Sequence, residues 1–381
     1  MKIISIEPTP SPNSMKINLD EKLPDGVRKE YSPTNKDQAP ESLQRLLDIE
    51  GVTGIYHAAD FIAIDRHPRG DWQRILTEAR EILGESDQAV AGSAAGPAPE
   101  AEAPAAFGEV KVLVQTFRGI PMQIRVSNGT EEQRAALPER FSQAAMTAGL
   151  ASPNLIKERK LEEQGVRYGE LKDVLEEVVR EYDAAYDQQR LEAMIEQAAQ
   201  QAPGETVVEE AASLDELASA MESSDWRTRY AALERIEPTE EAIPLLSRAL
   251  DDPQMSIRRL ATVYLGDIKT PEVLPLLFKA LKDKTVAVRR TAGDTLSDLG
   301  DPAAIGPMAD ALKDTNKLVR WRAARFLYET GDETALPALK AAKDDPEFEV
   351  SMQINMAIER IEGGEAALGS VWQQMTNRNR D

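Results

Sequence analysis

The chain contains no cysteine. That absence excludes disulfides, thiolate metal ligands, thiol nucleophiles and lipid attachment through sulfur, and it withholds any redox clue to compartment. Histidine is nearly as scarce: His57 and His67 are the two present. Acid–base chemistry would therefore fall to carboxylates, lysines and tyrosines, and at this density carboxylate pairs arise by chance. Basic residues are outnumbered, 45 against 66 acidic ones, leaving a formal net charge of −21. A body of that sign repels nucleic acid and anionic lipid as general partners. No apolar run approaches the roughly 20 residues a bilayer span requires, and the opening Met1-Lys2-Ile3-Ile4-Ser5-Ile6-Glu7-Pro8 lacks the apolar core of a secretory signal. Walker-type glycine loops, dinucleotide fingerprints, Gly-x-Ser-x-Gly elbows and His-rich metal motifs are missing as well. The expectation is a soluble cytoplasmic protein that is not an enzyme and carries no cofactor or metal.

What is present is periodicity. Trp226, Ile257, Val288, Val319 and Val350 stand 31 residues apart, followed by Arg227, Arg258, Arg289 and Arg320, with Ser351 in the last slot. Leu250, Leu281 and Leu312 share the period, as do Asp252, Asp283, Asp314 and Asp345. Pro244, Pro275 and Pro337 recur at helix starts, with Gly306 in the remaining slot. Each unit reads as two helices: Val273 to Lys282 with Pro275 in the first turn, then Val286 to Leu299, stopped at Gly300. One such hairpin cannot bury its apolar face alone, so neighbours must stack. The final unit, with Ser351 and Lys343 in place of Arg and Leu, has the polar character of a cap. The repeats resemble short HEAT-like repeats of the kind also found in phycobilisome-lyase-related proteins, over Asp225 to about Glu362. This resemblance implies an α-solenoid over about 213–364 whose concave face holds protein partners.

Two residue sets within the repeats invite a functional reading. The Asp–Arg pair of each unit, Asp283 with Arg289 for example, is read as a ladder tying one repeat to the next rather than as a ligand site. Arg259, Arg290 and Trp321 share another register, with Arg325 and Tyr328 following on the same side. They are the candidate partner-contact strip, because Arg, Trp and Tyr are the usual interface anchors; the alternative is an ordinary solvated or packed face.

Ala, Gly, Pro, Ser and Glu dominate residues 86–106, which read as a flexible tether. A weaker boundary around 200–212 separates a middle block, 107–199, from the repeats, and 365–381 form a C-terminal tail. Residues 1–85 read as a compact α+β unit with strands at Met1–Glu7, Ser14–Leu19, Val52–His57 and Phe61–Asp65. Its helices fall at Glu41–Asp48 and after a capping Asp71. His57 beside Asp60 is too poorly provided for a metal site and is assigned to the hairpin turn. The middle block, a small α+β domain, reads as a β-hairpin, Val110–Phe117 and Met122–Val126, followed by helices at Glu131–Ala148 and Glu170–Gln197. The second helix is expected to turn a Glu-, Asp- and Arg-rich face to solvent.

The stretch Pro8-Thr9-Pro10-Ser11-Pro12-Asn13 with Met15-Lys16, then Gly51-Val52-Thr53-Gly54-Ile55-Tyr56, Asp60-Phe61-Ile62-Ala63-Ile64 and Asp71-Trp72, closely resembles the N-terminal domain of Nfu/NifU-type scaffold proteins. In eukaryotic Nfu proteins that domain precedes one whose Cys-x-x-Cys motif holds an iron–sulfur cluster. Without cysteine, a thiolate-held cluster is excluded here. The order of the three blocks resembles a Firmicutes family named conserved virulence factor C: an Nfu-like N-terminal domain, a domain of its own, then HEAT-like repeats. The resemblance implies a multidomain scaffold or adaptor associated with virulence. A second reading is an accessory role in iron–sulfur assembly, contacting assembly proteins through the Nfu-like domain.

Overall fold

The computed structural model describes residues 1–9, 13–24, 27–67, 70–84, 109–129, 131–150, 158–200 and 213–364. The expected tether at 86–106 and the tail at 365–381 lie outside the described residues, as does part of the proline-rich motif after Thr9. The chain divides into two compact units, Met1–Phe107 with Gly300–Asp381, and Gly108–Leu299.

In the first unit, strands β1 (Ile3–Pro8), β2 (Ser14–Leu19), β3 (Arg28–Tyr31), β4 (Val52–Ala58) and β5 (Phe61–Arg66) form an antiparallel sheet in the order β1-β2-β5-β4-β3. Alternation places Ile17, Ile62 and Ile64 on the inner face. Helices α1 (Glu41–Leu47) and α2 (Trp72–Leu83) cover that face with Leu43, Leu46, Trp72, Ile75 and Ala79. The Asp71 carboxylate caps α2 by accepting the Gln73 N–H at 2.9 Å. β3 was not expected; three of its four residues are exposed and show no apolar alternation. His57 is not in the hairpin turn. It lies within β4, paired with Lys29 of β3 and Ile62 of β5, and is buried.

The second unit opens with β6 (Glu109–Phe117), β7 (Ile120–Ser127), β8 (Glu132–Ala136) and β9 (Arg159–Tyr168), ordered β8-β7-β6-β9. Arg118 and Gly119, both at positive φ, make the tight turn of the β6–β7 hairpin. Helices α3 (Glu139–Gly149), α4 (Leu171–Ala185) and α5 (Gln188–Gln200) join a core that includes Val112, Val114, Ile124, Phe141, Val178 and Leu191. Two expected helices are corrected. The stretch from Glu131 is strand β8 first, because Pro138 holds the residue before it extended and starts α3 only afterwards. The helix expected over Glu170–Gln197 breaks at Tyr186, where ψ is 86°, and Asp187 restarts the chain by accepting the Arg190 N–H at 2.8 Å.

The repeats then run as helical hairpins. The second unit holds α6 (Leu214–Ala220) with α7 (Trp226–Glu234), α8 (Ile243–Ala249) with α9 (Met255–Ile268), and α10 (Leu274–Ala280) with α11 (Val286–Leu299). The first unit holds α12 (Ile305–Ala311) with α13 (Lys317–Thr330) and α14 (Leu336–Ala342) with α15 (Phe348–Glu362). Pro244, Pro275 and Pro337 sit in the first turn of α8, α10 and α14, where a missing N–H costs nothing. Ile257, Ala261, Leu265, Val288, Ala292 and Leu296 carry the buried stripes of α9 and α11.

Candidate functional site

The repeating charges resolve into rungs. Arg258 of α9 donates Nε and Nη2 to the two oxygens of Asp283, at 2.7 and 3.1 Å, in the next repeat. Its Nη1 reaches back to the Asp252 carbonyl at 2.8 Å. The same Asp283 carboxylate accepts the Thr285 N–H at 2.7 Å, capping the turn into α11. Burial alone would raise that carboxyl; Arg258 and Thr285 outweigh it and hold it below the usual carboxylate range. In the first unit, Arg320 repeats the arrangement on Asp345, at 2.6 and 3.0 Å. The expected pairing of Asp283 with Arg289 is corrected: Arg289 Nη1 donates to the Asp283 carbonyl, while the carboxylate belongs to Arg258. The first rung is also shifted. α7 is capped by Asp225 and α9 follows Gln254, 29 residues on, so Arg229 rather than Arg227 grips Asp252.

The candidate strip lies on the second helices: Arg259 on α9, Arg290 on α11, and Trp321, Arg325 and Tyr328 on α13. As an open contact surface it is corrected, because the first four are buried, at 3–8% exposure, and Tyr328 is half-buried. In the second unit the middle domain covers Arg259 and Arg290. Arg259 Nη2 bonds both carboxylate oxygens of Glu181 on α4 at 3.2 Å, with Glu177 3.8 Å from its Nε. Arg167 of β9 completes the cluster, 2.9 Å from Glu177 and 2.7 Å from Glu181. The Arg290 guanidinium lies 3.5 Å from the ring centroid of Tyr168 and donates to Asp294 at 3.2 Å. On α13, Arg325 is bonded within its own helix to Glu329 at 2.7 Å.

Two acids one turn apart are thus treated oppositely. Burial works to raise the Glu181 carboxyl, but Arg259 and Arg167 overcome it and hold it low. Burial, and then the neighbouring Glu181, push Glu177 up against the same two arginines. Arg259 is itself held above its ordinary range, because Glu181 and Glu177 outweigh its desolvation.

The register continues into the first unit. Met352 stands 31 residues beyond Trp321, and with Phe348 it packs against the apolar core of the N-terminal domain. Beside it, Glu349 accepts from Arg66 of β5 at 2.8 Å, both side chains being buried. Arg66 also donates to the Gly70 carbonyl at 2.7 Å and lies 5.1 Å from the Trp72 ring centroid.

Glu177, Glu181, Arg167, Tyr168, Arg66, Glu349 and Met352 were not singled out by sequence reasoning. Met352 was findable by extending the 31-residue register one step, whereas Glu181 was hidden in a face that looks solvated. Among the described residues no group of three or more His, Asp or Glu is arranged to hold a metal.

Architecture and site together define a three-module chain whose repeats receive separate folded domains on their second helices. The family model for the N-terminal domain of Nfu/NifU scaffold proteins matches residues 4–89, a virulence-factor model matches 115–195, and HEAT-repeat models match 214–293 and 274–359. The chain is 56% identical over 377 residues to the uncharacterized protein YpgR of Bacillus subtilis, covering 99% of this chain and 98% of that protein. It is 46% identical over 381 residues to conserved virulence factor C of Staphylococcus aureus, covering 99% and 100%. The chain belongs to the conserved virulence factor C family. Among solved structures, the S. aureus protein SAV1430 is 35% identical, covering 22% of this chain and 98% of its own, with a TM-score of 0.21.

Proposed function

We propose that this protein is a non-enzymatic cytoplasmic adaptor whose HEAT-like repeats hold protein partners. One observation carries the reading: positions of a single repeat register receive side chains from separate folded domains. Arg259 takes Glu181, Arg290 takes Tyr168, and Met352 packs against the N-terminal core. A surface that engages folded domains within the chain has the chemistry to engage folded partners outside it. The residue inventory also favours binding over turnover, since cysteine is absent and His57 is buried inside a sheet. No helix among the described residues is long and apolar enough to cross a membrane, which suits this role.

The test is affinity capture with the tagged full-length chain, followed by binding measurements between purified components. The reading expects defined proteins that bind saturably in the purified assay. It is overturned if nothing binds above an unrelated acidic bait, or if the protein turns over a component of a metabolite extract. The match of residues 4–89 to the Nfu/NifU scaffold domain favours a second reading, an accessory role in iron–sulfur assembly without thiolate ligands. Capture restricted to assembly proteins would select it.

A further inference from the structure

Strand β9 is the edge of the middle-domain sheet. It pairs with β6 on one side, and among the described residues no strand pairs with the other. Its regular part is short. Gly165, at φ +82°, sits where the β6–β9 register shifts between Lys111 and Leu113, so the uninterrupted run is Arg159–Glu163. All five side chains are exposed, and Leu161, at 48%, stands out for its size and apolarity. Such an edge is a template for another strand unless its residues forbid one.

The five residues read Arg159-Lys160-Leu161-Glu162-Glu163. About Leu161 the order is antisymmetric in charge, two cations before and two anions after. We infer that β9 is a self-pairing edge that joins two copies of this chain antiparallel, with Leu161 opposite Leu161 on the two-fold axis. In that register Arg159 faces Glu163 and Lys160 faces Glu162 of the second copy, each twice by symmetry. Period-two alternation keeps Arg159, Leu161 and Glu163 on one face and Lys160 and Glu162 on the other, so opposing partners share a face. A slip of one position in either direction keeps half of the opposite-charge pairs. A slip of two brings like charges opposite each other. The sequence therefore specifies one alignment.

Contacts among the described residues leave the cations available. Glu163 is 2.8 Å from Lys111 with both side chains about half exposed, and Glu162 accepts from the Thr116 hydroxyl at 3.1 Å. Arg159 and Lys160 make no ion pair among the described residues. An isologous interface requires one patch to complement itself, and this segment does so without any other protein.

Sedimentation of the full chain over a concentration series tests the inference. The wild type is expected to show a monomer–dimer equilibrium. Arg159→Glu/Lys160→Glu and Glu162→Lys/Glu163→Lys should each weaken it by roughly tenfold or more. Mixing these two variants should restore dimers, as should combining all four changes in one chain. The absence of cysteine supplies a second readout that leaves every charge in place. Leu161→Cys should cross-link to itself under mild oxidation much faster than Val166→Cys, which lies beyond the bulge. A wild type that stays monomeric at its highest soluble concentration overturns the inference. So do half-reversed variants that dimerise undiminished, or equal cross-linking of the two cysteine variants.

Discussion

The two compact units attach a domain to a repeat helix in different ways. In the first unit the N-terminal domain meets α15 through apolar packing of Phe348 and Met352 and one buried ion pair, Arg66–Glu349. In the second, the middle domain meets α9 and α11 through a cluster of charges: Arg259 and Arg167 share Glu181 and Glu177, and Arg290 stacks on Tyr168. Apolar burial is non-directional and scales with area, at roughly 25 cal/mol per Å². A charge cluster returns little net stability after desolvation, yet it tolerates one geometry and penalises any partial loss. At α15 apolar packing stands beside a single ion pair, whereas at α9 and α11 the contact is fixed by the orientation of its charges.

The sharpest way to break this contrast is to strand a charge. Arg66→Met should leave Glu349 buried without its cation, destabilising the first unit by roughly 3–5 kcal/mol. Chemical denaturation would report it as a lowered midpoint. Adding Glu349→Leu should recover most of the loss, since an apolar pair beside Phe348 and Met352 extends packing already present. If the double variant is as unstable as the single, this attachment rests on its ion pair and the contrast fails.

Arg259→Met is expected to cost less, roughly 1–3 kcal/mol, because Arg167 remains 2.7 Å from Glu181. The distributed cluster should reveal itself as coupling. A double-mutant cycle of Arg259→Met with Arg167→Met should give a loss beyond the sum of the single losses, as removing both cations leaves Glu181 buried alone. Simple additivity would mean that the two arginines act independently and that the cluster is not a unit.

Acid should separate the His57 site from the charge cluster by sign, with smaller effects. His57 is held below its ordinary 6.5, by burial first and Lys29 second. Its contribution is present above 6.5 and is lost as pH falls from there toward the folded value, because the unfolded chain takes up the proton first. Glu181 is held below 4.5, so its contribution is present above 4.5 and lost as pH falls through the lower folded value. Glu177, held above 4.5, acts oppositely and is relieved by protonation on the way down to 4.5. Between 6.5 and 4.5 the His57 contribution to the first unit should therefore fall, opposed there by Asp65, which burial holds above 3.8 and which protonation relieves, while the charge cluster of the second unit does not weaken. Hydrogen exchange corrected for intrinsic rates, resolved by segment, would show it. Parallel loss in both units across that window would contradict these assignments.

Much of this was legible in the sequence where burial and period coincide. The stripes of α9, α11 and α13 and the Asp71 cap of α2 follow from spacing and side-chain chemistry alone. β3 and β9 were illegible because exposed edge strands carry no apolar alternation: Arg28-Lys29-Glu30 and Arg159-Lys160 look like solvated loop. The register of the strip was readable, but its environment was not. An arginine on a helix face is the same letter whether water or Glu181 of another domain faces it, and only tertiary packing decides. For the same reason Glu181 read as a solvated acid although α4 buries it. The two-residue shift of the first rung was missed because Arg227 and Arg229 both satisfy a loose period, and only the Asp225 cap fixes which one reaches Asp252.

The smallest expected effect leaves both attachments untouched. Lys269 ends α9 at φ 59° and ψ 25°, the left-handed region, where a side chain crowds its own backbone and glycine does not. Gly300, immediately after α11, takes φ 60° with no such penalty. Lys269→Gly should therefore stabilise the second unit by about 0.5–1 kcal/mol, offset in part by the greater freedom glycine gives the unfolded chain. The measurement is a shift of the denaturation midpoint at unchanged slope. Combined with Arg259→Met, the gain should persist in full, because the helix end lies almost three turns along α9 from Arg259. If it disappears in the combined variant, the end of α9 is coupled to the charge cluster, and orientation in the second unit is enforced through the helix backbone as well as through its charges.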